Sequence, residues 1–404
     1  MAIEVSFCQT KEEFIDAFGA IGHYFGGGVS IEEVDQVLQV FECDRTQMAR
    51  EAGAVVGGCG AHSYELTVPG GRVAAAGITI VGVRPTHRRR GVLRAMMRAQ
   101  IDDVHARKEP VAYLWASEET IYGRFGYGMA ALNAAIELPK SDCVFARPFT
   151  PRGELRLHPL EEAYAPIAEV YDRLRGDYPG MFSRKEGWWK NRRLADTPSR
   201  RGSSGELNRV VLYLDGRPEA YCLYRLNQAI DGGITTGVVN VLEALGTTPE
   251  ATREIWHFLL QIDWIAKVRA GNLSVDHPLL FLLAHPRRLR PVISDSLWVR
   301  LVDVEAALNA RRFADASAVV LEVEDPFCPW NAGRYRVSPE GAVRTDAAAD
   351  LRLDVEALGS LYLGGFTASQ LARASRIEEW SAGALGRADL LFRGERAPWC
   401  PEIF

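Results

Sequence analysis

Between Glu65 and Asp102 the sequence holds no acidic residue, yet it holds Arg72, Arg84, Arg88, Arg89, Arg90, Arg94 and Arg98. In a chain of net charge −5 this is a strong local asymmetry. The triple arginine precedes Gly91 and an amphipathic run, so it falls where a strand ends and a helix begins. Backbone N–H groups at a helix N-terminus point outward, and the helix dipole favours an anion there. Gly91 lets the backbone approach a ligand without a Cβ in the way. Arginines add charge-assisted hydrogen bonds to phosphate oxygens. The chemistry this pattern suits is the binding of a phosphate or pyrophosphate. Two plainer readings of the same run are a solvated basic face and a nucleic-acid contact. The second lacks the interleaved aromatics that stack bases.

Several elements have to hold that loop. Residues 11–20 and 31–42 have helical periodicity, and the loop 24–30 between them offers Ser30 as an N-cap. Ala54–Tyr64 reads as a strand interrupted by glycines, Gly70-Gly71 as a turn, and Ala75–Val83 as a short buried strand stopped by Pro85. Val92–Arg107 is predicted to be a helix with Leu93, Met96, Met97, Ile101 and Val104 on one face. Val111–Trp115 is another strand. A short helix begins near Ser117 and is broken up by Gly123, Gly126 and Gly128. Together these make an α/β domain around the basic loop.

Pro148–Pro151 has the composition of a linker. Beyond it, helical stretches at 159–175 and 184–194 precede two strands, Val210–Leu214 and Glu219–Arg225, joined at Asp215-Gly216, a strong hairpin signal. Val238–Leu245 is a strand and Pro249–Ile262 a helix. The earlier order of hairpin, strand and helix is repeated, but the matching loop Gly246–Thr252 has no arginine cluster. From about Pro291 the pattern becomes α+β. Strands are expected at Leu297–Val302, Ala318–Val323, Gly333–Val337 and Leu351–Asp354, and short helices at Val355–Gly359, Ala368–Ala374 and Glu378–Gly383. At ~150 residues per domain, 404 residues make two or three domains. The division expected is 1–147, 148–290 and 291–404.

Composition narrows the class. The chain is 47% hydrophobic and 25% charged, ordinary for a soluble globular protein, and its pI near 6.0 argues against a basic coat for nucleic acid. Its 7 cysteines are scattered without a C-x-x-C pair, and its 8 histidines show no H-x-x-x-H pair. No disulfide framework and no metal site are expected, and a cytoplasmic setting is the simpler one. The first residues do not read as a signal peptide, and no apolar run is long enough to span a membrane.

The segment Val81-Gly-Val-Arg-Pro-Thr-His-Arg-Arg-Arg-Gly-Val-Leu-Arg94 resembles the acetyl-CoA signature of the GNAT acetyltransferases, Arg/Gln-x-x-Gly-x-Gly/Ala after a strand. The match is Arg88-x-x-Gly91-x-Leu93, in which Leu93 departs from the usual small residue. Leu114-Trp-Ala-Ser-Glu-Glu-Thr-Ile-Tyr-Gly-Arg-Phe-Gly-Tyr-Gly128 is similar to the Eis (enhanced intracellular survival) family of that superfamily, where a leucine-type residue there is normal. The resemblance runs over the full chain and is softer around Glu322–Asn331 and Gly359–Gly365. It implies tandem GNAT-like domains, the second without a cofactor site, then a sterol-carrier-protein-like α+β domain that delivers the C-terminal carboxylate. It also implies a homo-hexamer.

The resemblance further implies acetyl-CoA as co-substrate. The backbone of Val81, Gly82 and Val83 would pair with its pantetheine arm. Arg88, Arg89, Arg90, Gly91, Val92, Leu93 and Arg94 would hold the pyrophosphate, and Ser117 and Glu118 would border the reactive end. Tyr122 would be the general acid, since a phenol with a reference pKa of about 10 is protonated at neutral pH. Taken alone, Tyr122 also reads as a core aromatic, and Tyr127 in its Gly-Tyr-Gly setting suits a turn. No internal residue is an obvious base, and His87 beside three arginines is positional. The resemblance gives the base to the C-terminal carboxylate of Phe404. The ending Ala397–Phe404, with Pro398, Pro401 and the apolar Trp399 and Ile403, looks built to dock.

The acceptor implied is an amine of an aminoglycoside or another polyamine, with protein lysines as a further class. Tyr24, Glu402, Glu32, Glu33, Asp35 and Glu42 are the candidates to meet it; apart from Glu402, most of the carboxylates read rather as a solvated helix face. Two other readings stay open. One is a biosynthetic N-acetyltransferase serving one natural product. The other is a lipid- or sterol-binding protein with a vestigial GNAT portion.

Overall fold

The computed structural model describes residues 3–25, 27–201, 203–314 and 317–404. The start of the chain and one residue of the predicted loop 24–30, Gly26, lie outside them. Two compact units result. One holds the residues up to Ala131 with Ser296–Pro398 and Ile403–Phe404, and the other holds Leu132–Asp295 with Trp399–Glu402.

The first unit begins with β1 (Ile3–Phe7), α1 (Lys11–Phe25), α2 (Val34–Val37), β2 (Thr46–Glu51), β3 (Ala54–Val68) and β4 (Gly71–Val83). It continues with α3 (Val92–Ala106), β5 (Val111–Trp115), α4 (Glu119–Tyr122) and β6 (Gly128–Met129). β3 and β4 form one long hairpin turned at Gly70, whose φ of +68° favours glycine. The glycines that seemed to interrupt β3 instead let a helix approach. A Cβ on Gly58 would come within 2.8 Å of Ala17 O and Ile21 Cδ1 of α1. α1 buries Phe14 and Ala17 with Cys8, Val34 and Met48. The predicted face of α3 is buried: Met97, Ile101 and Val104 pack with Ile78, Leu114, Tyr122 and Phe125, while Met96 joins Ala49 and Val56. The helix expected over 31–42 shortens to Val34–Val37, where β-branched residues weaken helical preference.

Two strands lie elsewhere than a contiguous division at 147/148 and 290/291 would place them. Leu297–Leu301 pairs antiparallel with β5 on one side and β6 on the other, giving the sheet order β1-β2-β3-β4-β5-(297–301)-β6. Leu132–Pro139 leaves for the second unit. The alternation of an apolar strand fixes which face is buried, not which neighbour it pairs with.

In the second unit Leu132–Pro139 sits in a seven-stranded sheet with Val292–Asp295 on one side and Lys267–Leu273 on the other. The Asp215-Gly216 hairpin forms as expected, with φ of +49° and +78° at its two turn residues. Val238–Gly246 and Lys267–Leu273 run parallel, joined through the helix Pro249–Gln261, so the hairpin–strand–helix order does repeat. Here the helix N-terminus is closed to anions. Thr248 caps it by accepting from Ala251 N at 3.1 Å, and Glu250 stands in its first turn.

The rest of the first unit carries a five-stranded sheet: Gly341–Arg344, Gly333–Ser338, Val319–Glu324, Leu351–Asp354 and Ile377–Glu379. The helix expected at Glu378–Gly383 is not there. Ile377–Glu379 instead pairs with Leu351–Leu353 as an edge strand, and the helix starts after Gly383, at Ala384–Leu391. A free sheet edge outweighs the weak helical preference of so short a run.

Candidate active site

The first sheet splits in the middle. β4 pairs in parallel with β5 only over Ala75–Gly77 and Val111–Tyr113, although β4 runs on to Val83 and β5 to Trp115. The cause is a bulge in β4. Two of its residues oppose one between Gly58 and Gly60 of β3, and Ile80 takes a φ of +48°. From the bulge onward, Val81, Gly82 and Val83 lie on a β4 edge that β5 no longer pairs. Such an edge offers backbone donors and acceptors to an extended polar ligand.

That edge leads into the basic loop. Arg88, Arg89 and Arg90 are exposed, Arg89 has φ +62° and Gly91 has φ +89°. No side chain caps α3 at Gly91 and no acid stands in its first turn, so its N–H groups face an electropositive rim. A Cβ on Gly91 would meet no protein atom within 4 Å, and the glycine's left-handed backbone is one that other residues rarely adopt. The loop is held from below. The Tyr24 hydroxyl donates to Val83 O at 2.9 Å and accepts from Arg88 Nε at 3.0 Å. Glu51 takes Arg90 Nη1 at 3.0 Å and stands 3.4 Å from His87 Nε2. Arg94 and Arg98 lie over the ring of Phe327, and Arg98 donates to Phe327 O.

Tyr122 ends α4 with its side chain buried in the core beside α3. Burial pushes its phenol up to about 12; the neighbouring Cys59 adds to this, and a hydrogen bond with Ser117 opposes it. Burial likewise pushes the Cys59 thiol up to about 12. Ser117 and Glu118 are exposed, and Glu118 O accepts from Ile121 N. Tyr127 meets Tyr122 edge to face at 5.9 Å, and its buried hydroxyl has no partner among the described residues.

The glycines after Tyr122 fit the turn to its surroundings. Gly126 has φ +82°, and a Cβ there would fall 1.9 Å from Arg300 Nη1. A Cβ on Gly128 would fall 1.9 Å from Glu356 O. Arg300 is fully buried and donates to Asp325 Oδ2 at 2.5 Å, which also accepts from Asn331 at 2.9 Å. Because the Gly128 clash is with backbone, Gly128→Ala is expected to cost about 3 kcal/mol, at the upper end for overpacking. Thermal unfolding of the variant checks this, and an unchanged melting temperature contradicts it.

The chain end reaches the same split. The Phe404 ring, 7% exposed, packs edge-on against Tyr113 at 5.0 Å and Tyr64 at 5.6 Å. A Cβ on Gly77 would stand 3.1 Å from Phe404 Cε2. Gly77 and Tyr113 are the last paired residues of β4 and β5, so Phe404 docks where the strands part. Rings continue outward through His62 and Phe41.

Residues 8–130 and 180–301 each match a model of the GNAT acetyltransferase domain, and residues 304–401 match a sterol carrier protein domain. An uncharacterized N-acetyltransferase of Streptomyces coelicolor is 39% identical over 98% of both chains. The N-acetyltransferase Eis of Mycobacterium tuberculosis is 34% identical over 82% of this chain and 81% of its own. The crystal structure of Eis1 from Mycobacterium abscessus superposes with a TM-score of 0.87 at 34% identity, covering 99% of this chain and all of that one. The chain belongs to the Eis family of GNAT N-acetyltransferases. Its fold is that family's tandem GNAT domains followed by a sterol-carrier-like domain. Among the described residues no helix is long and apolar enough to cross a membrane.

Within this Eis-family frame two residues expected at the acceptor are engaged inside the protein. Tyr24 bonds Val83 and Arg88, so it braces the basic loop. Glu402 is 6% exposed and paired with Arg184. Glu32, Glu33 and Asp35 lie exposed near α2, Asp35 paired with Lys11, while Glu42 accepts from the Ser63 amide and hydroxyl. Glu51 and the Asp325–Trp330 turn were missed as supports of the loop. The clue available was the proline-bounded Asp325-Pro-Phe-Cys-Pro-Trp330 itself, whose aromatics serve as platforms for arginine.

Proposed function

We propose that the protein transfers acetyl from acetyl-CoA to an amine by direct attack in a ternary complex. Acetyl-CoA would lie along Val81–Val83 with its pyrophosphate on Arg88–Arg94, and it supplies the activated acetyl group. The Phe404 carboxylate would take the proton of the attacking amine, and the Tyr122 hydroxyl would protonate the leaving thiolate. The observation that carries this reading is the seating of Phe404 at the point where β4 and β5 part. The acceptor would be an aminoglycoside-type or other polyamine, with protein lysines as a further class. The aromatic run Phe41, His62, Tyr64, Tyr113 and Phe404 supports an ammonium ligand through cation–π attraction. A homo-hexamer belongs to the same reading, and a monomeric mass in light scattering would contradict it.

The test couples binding to turnover. Gly91→Asp puts a negative charge at the electropositive rim, and Gly91→Asn gives the same backbone strain without charge. Calorimetry should show acetyl-CoA affinity falling at least about tenfold more for Asp than for Asn, in line with the loss of charge-assisted contacts. Thiol release on aminoglycosides, linear polyamines and lysine peptides then ranks the acceptors. Equal affinity of the two variants removes the loop from the donor site, and turnover on none of the amines removes the acceptor reading.

A further inference from the structure

Trp399–Glu402, just before the chain end, belong with the second unit. There the Trp399 amide donates to Pro179 O at 2.7 Å, and its indole N–H donates to Asn272 Oδ1 at 3.2 Å. Asn272 Nδ2 in turn donates to Cys400 O at 2.9 Å. Glu402 Oε2 accepts from Trp188 Nε1 at 2.8 Å and stands 3.1 Å from Arg184 Nη2. The Arg184 side chain is wholly buried. It grips Glu243 with two prongs, at 2.9 and 2.7 Å, and lies 4.0 Å from the centre of the Tyr171 ring. Burial opposes a charge on Glu243, but Arg184 and Arg193 hold its carboxyl down at about 2.

A buried ion cluster of this kind is a poor source of stability compared with apolar packing, and its best-attested use is to fix one arrangement. The second GNAT domain has no basic donor loop, and its matching helix is capped by Thr248. Yet buried charges converge on Glu402, two residues from the chain end. Two residues span at most about 7 Å, so whatever holds Glu402 limits where the terminal carboxylate can go.

We propose that Arg184 and Trp188 are positioning residues for acetyl transfer: they hold Glu402, and through it the carboxylate of Phe404. The second GNAT domain is then the anchor of the catalytic tail. This rests on Phe404 as the general base, and the two ideas fail differently.

Glu402→Ala leaves Arg184 paired with Glu243, so the domain keeps its internal ion pair. The full-length variant is compared with wild type in three ways: kcat by thiol release, acetyl-CoA affinity by calorimetry, and release of Phe404 by carboxypeptidase A followed by intact mass. The anchor predicts kcat down at least about tenfold, unchanged acetyl-CoA affinity, and Phe404 released at least about tenfold faster, as expected when a charge-assisted contact is lost. Glu402→Gln, which still accepts from Trp188, should fall between the two. Phe404 release at the wild-type rate overturns the anchor whatever kcat does. Faster release with unchanged kcat overturns Phe404 as base, and with it the catalytic meaning of the anchor.

Discussion

Tyr122→Phe is expected to lower kcat by about 10²–10⁴-fold, the usual worth of one general acid. Acetyl-CoA affinity should stay within about twofold, because the change keeps the buried ring and alters none of the arginines that would carry donor binding. The size of the effect follows from the burial of Tyr122. Water cannot easily replace a hydroxyl there, and a thiolate expelled into so apolar a site is costly until protonated. With its phenol pushed up to about 12, Tyr122 also stays protonated through any ordinary assay range, so kcat should show no loss from this group below about pH 10. Tyr127→Phe is the control. Its hydroxyl is buried without a partner among the described residues, so removing the oxygen should be neutral or slightly stabilising and leave turnover near wild type. A crippled Tyr127→Phe beside an active Tyr122→Phe would move the acid to the other ring.

Much of this site was legible because it is written in local runs. The arginine cluster, Gly91 and the buried face of α3 sit within one stretch, and the backbone there adopts what their types favour. β5 and the Asp215-Gly216 hairpin were equally local. What escaped the sequence depends on partners far along the chain. Leu297–Leu301 carries an ordinary strand pattern, and nothing in it says that it will pair with β5 rather than open the third domain. Ile377–Glu379 is a strand only because Leu351–Leu353 offers an edge. The partners of Tyr24 and Glu402 within the fold, Val83 with Arg88 and Arg184 with Trp188, are distant in sequence.

A second large effect is expected at the chain end. A free α-carboxylate has a pKa of about 3.3–3.7, so it is ionised at neutral pH. It is a weak base in water, but a carboxylate in an apolar setting, such as the Phe404 ring has against Tyr64 and Tyr113, accepts an ammonium proton more readily. Pro398 and Pro401 restrict the tail before folding and so reduce the entropy lost when it docks. The plainer account is that the tail only closes an apolar edge. Adding three glycines after Phe404 separates the two, because the rings and Trp399 can stay where they are while the charge moves away. The decisive measurement is thiol release by that extended protein, taken beside its melting temperature and acetyl-CoA affinity. A terminal base predicts that turnover falls by at least about 10²-fold while stability and donor binding hold; full turnover by the extended protein contradicts it.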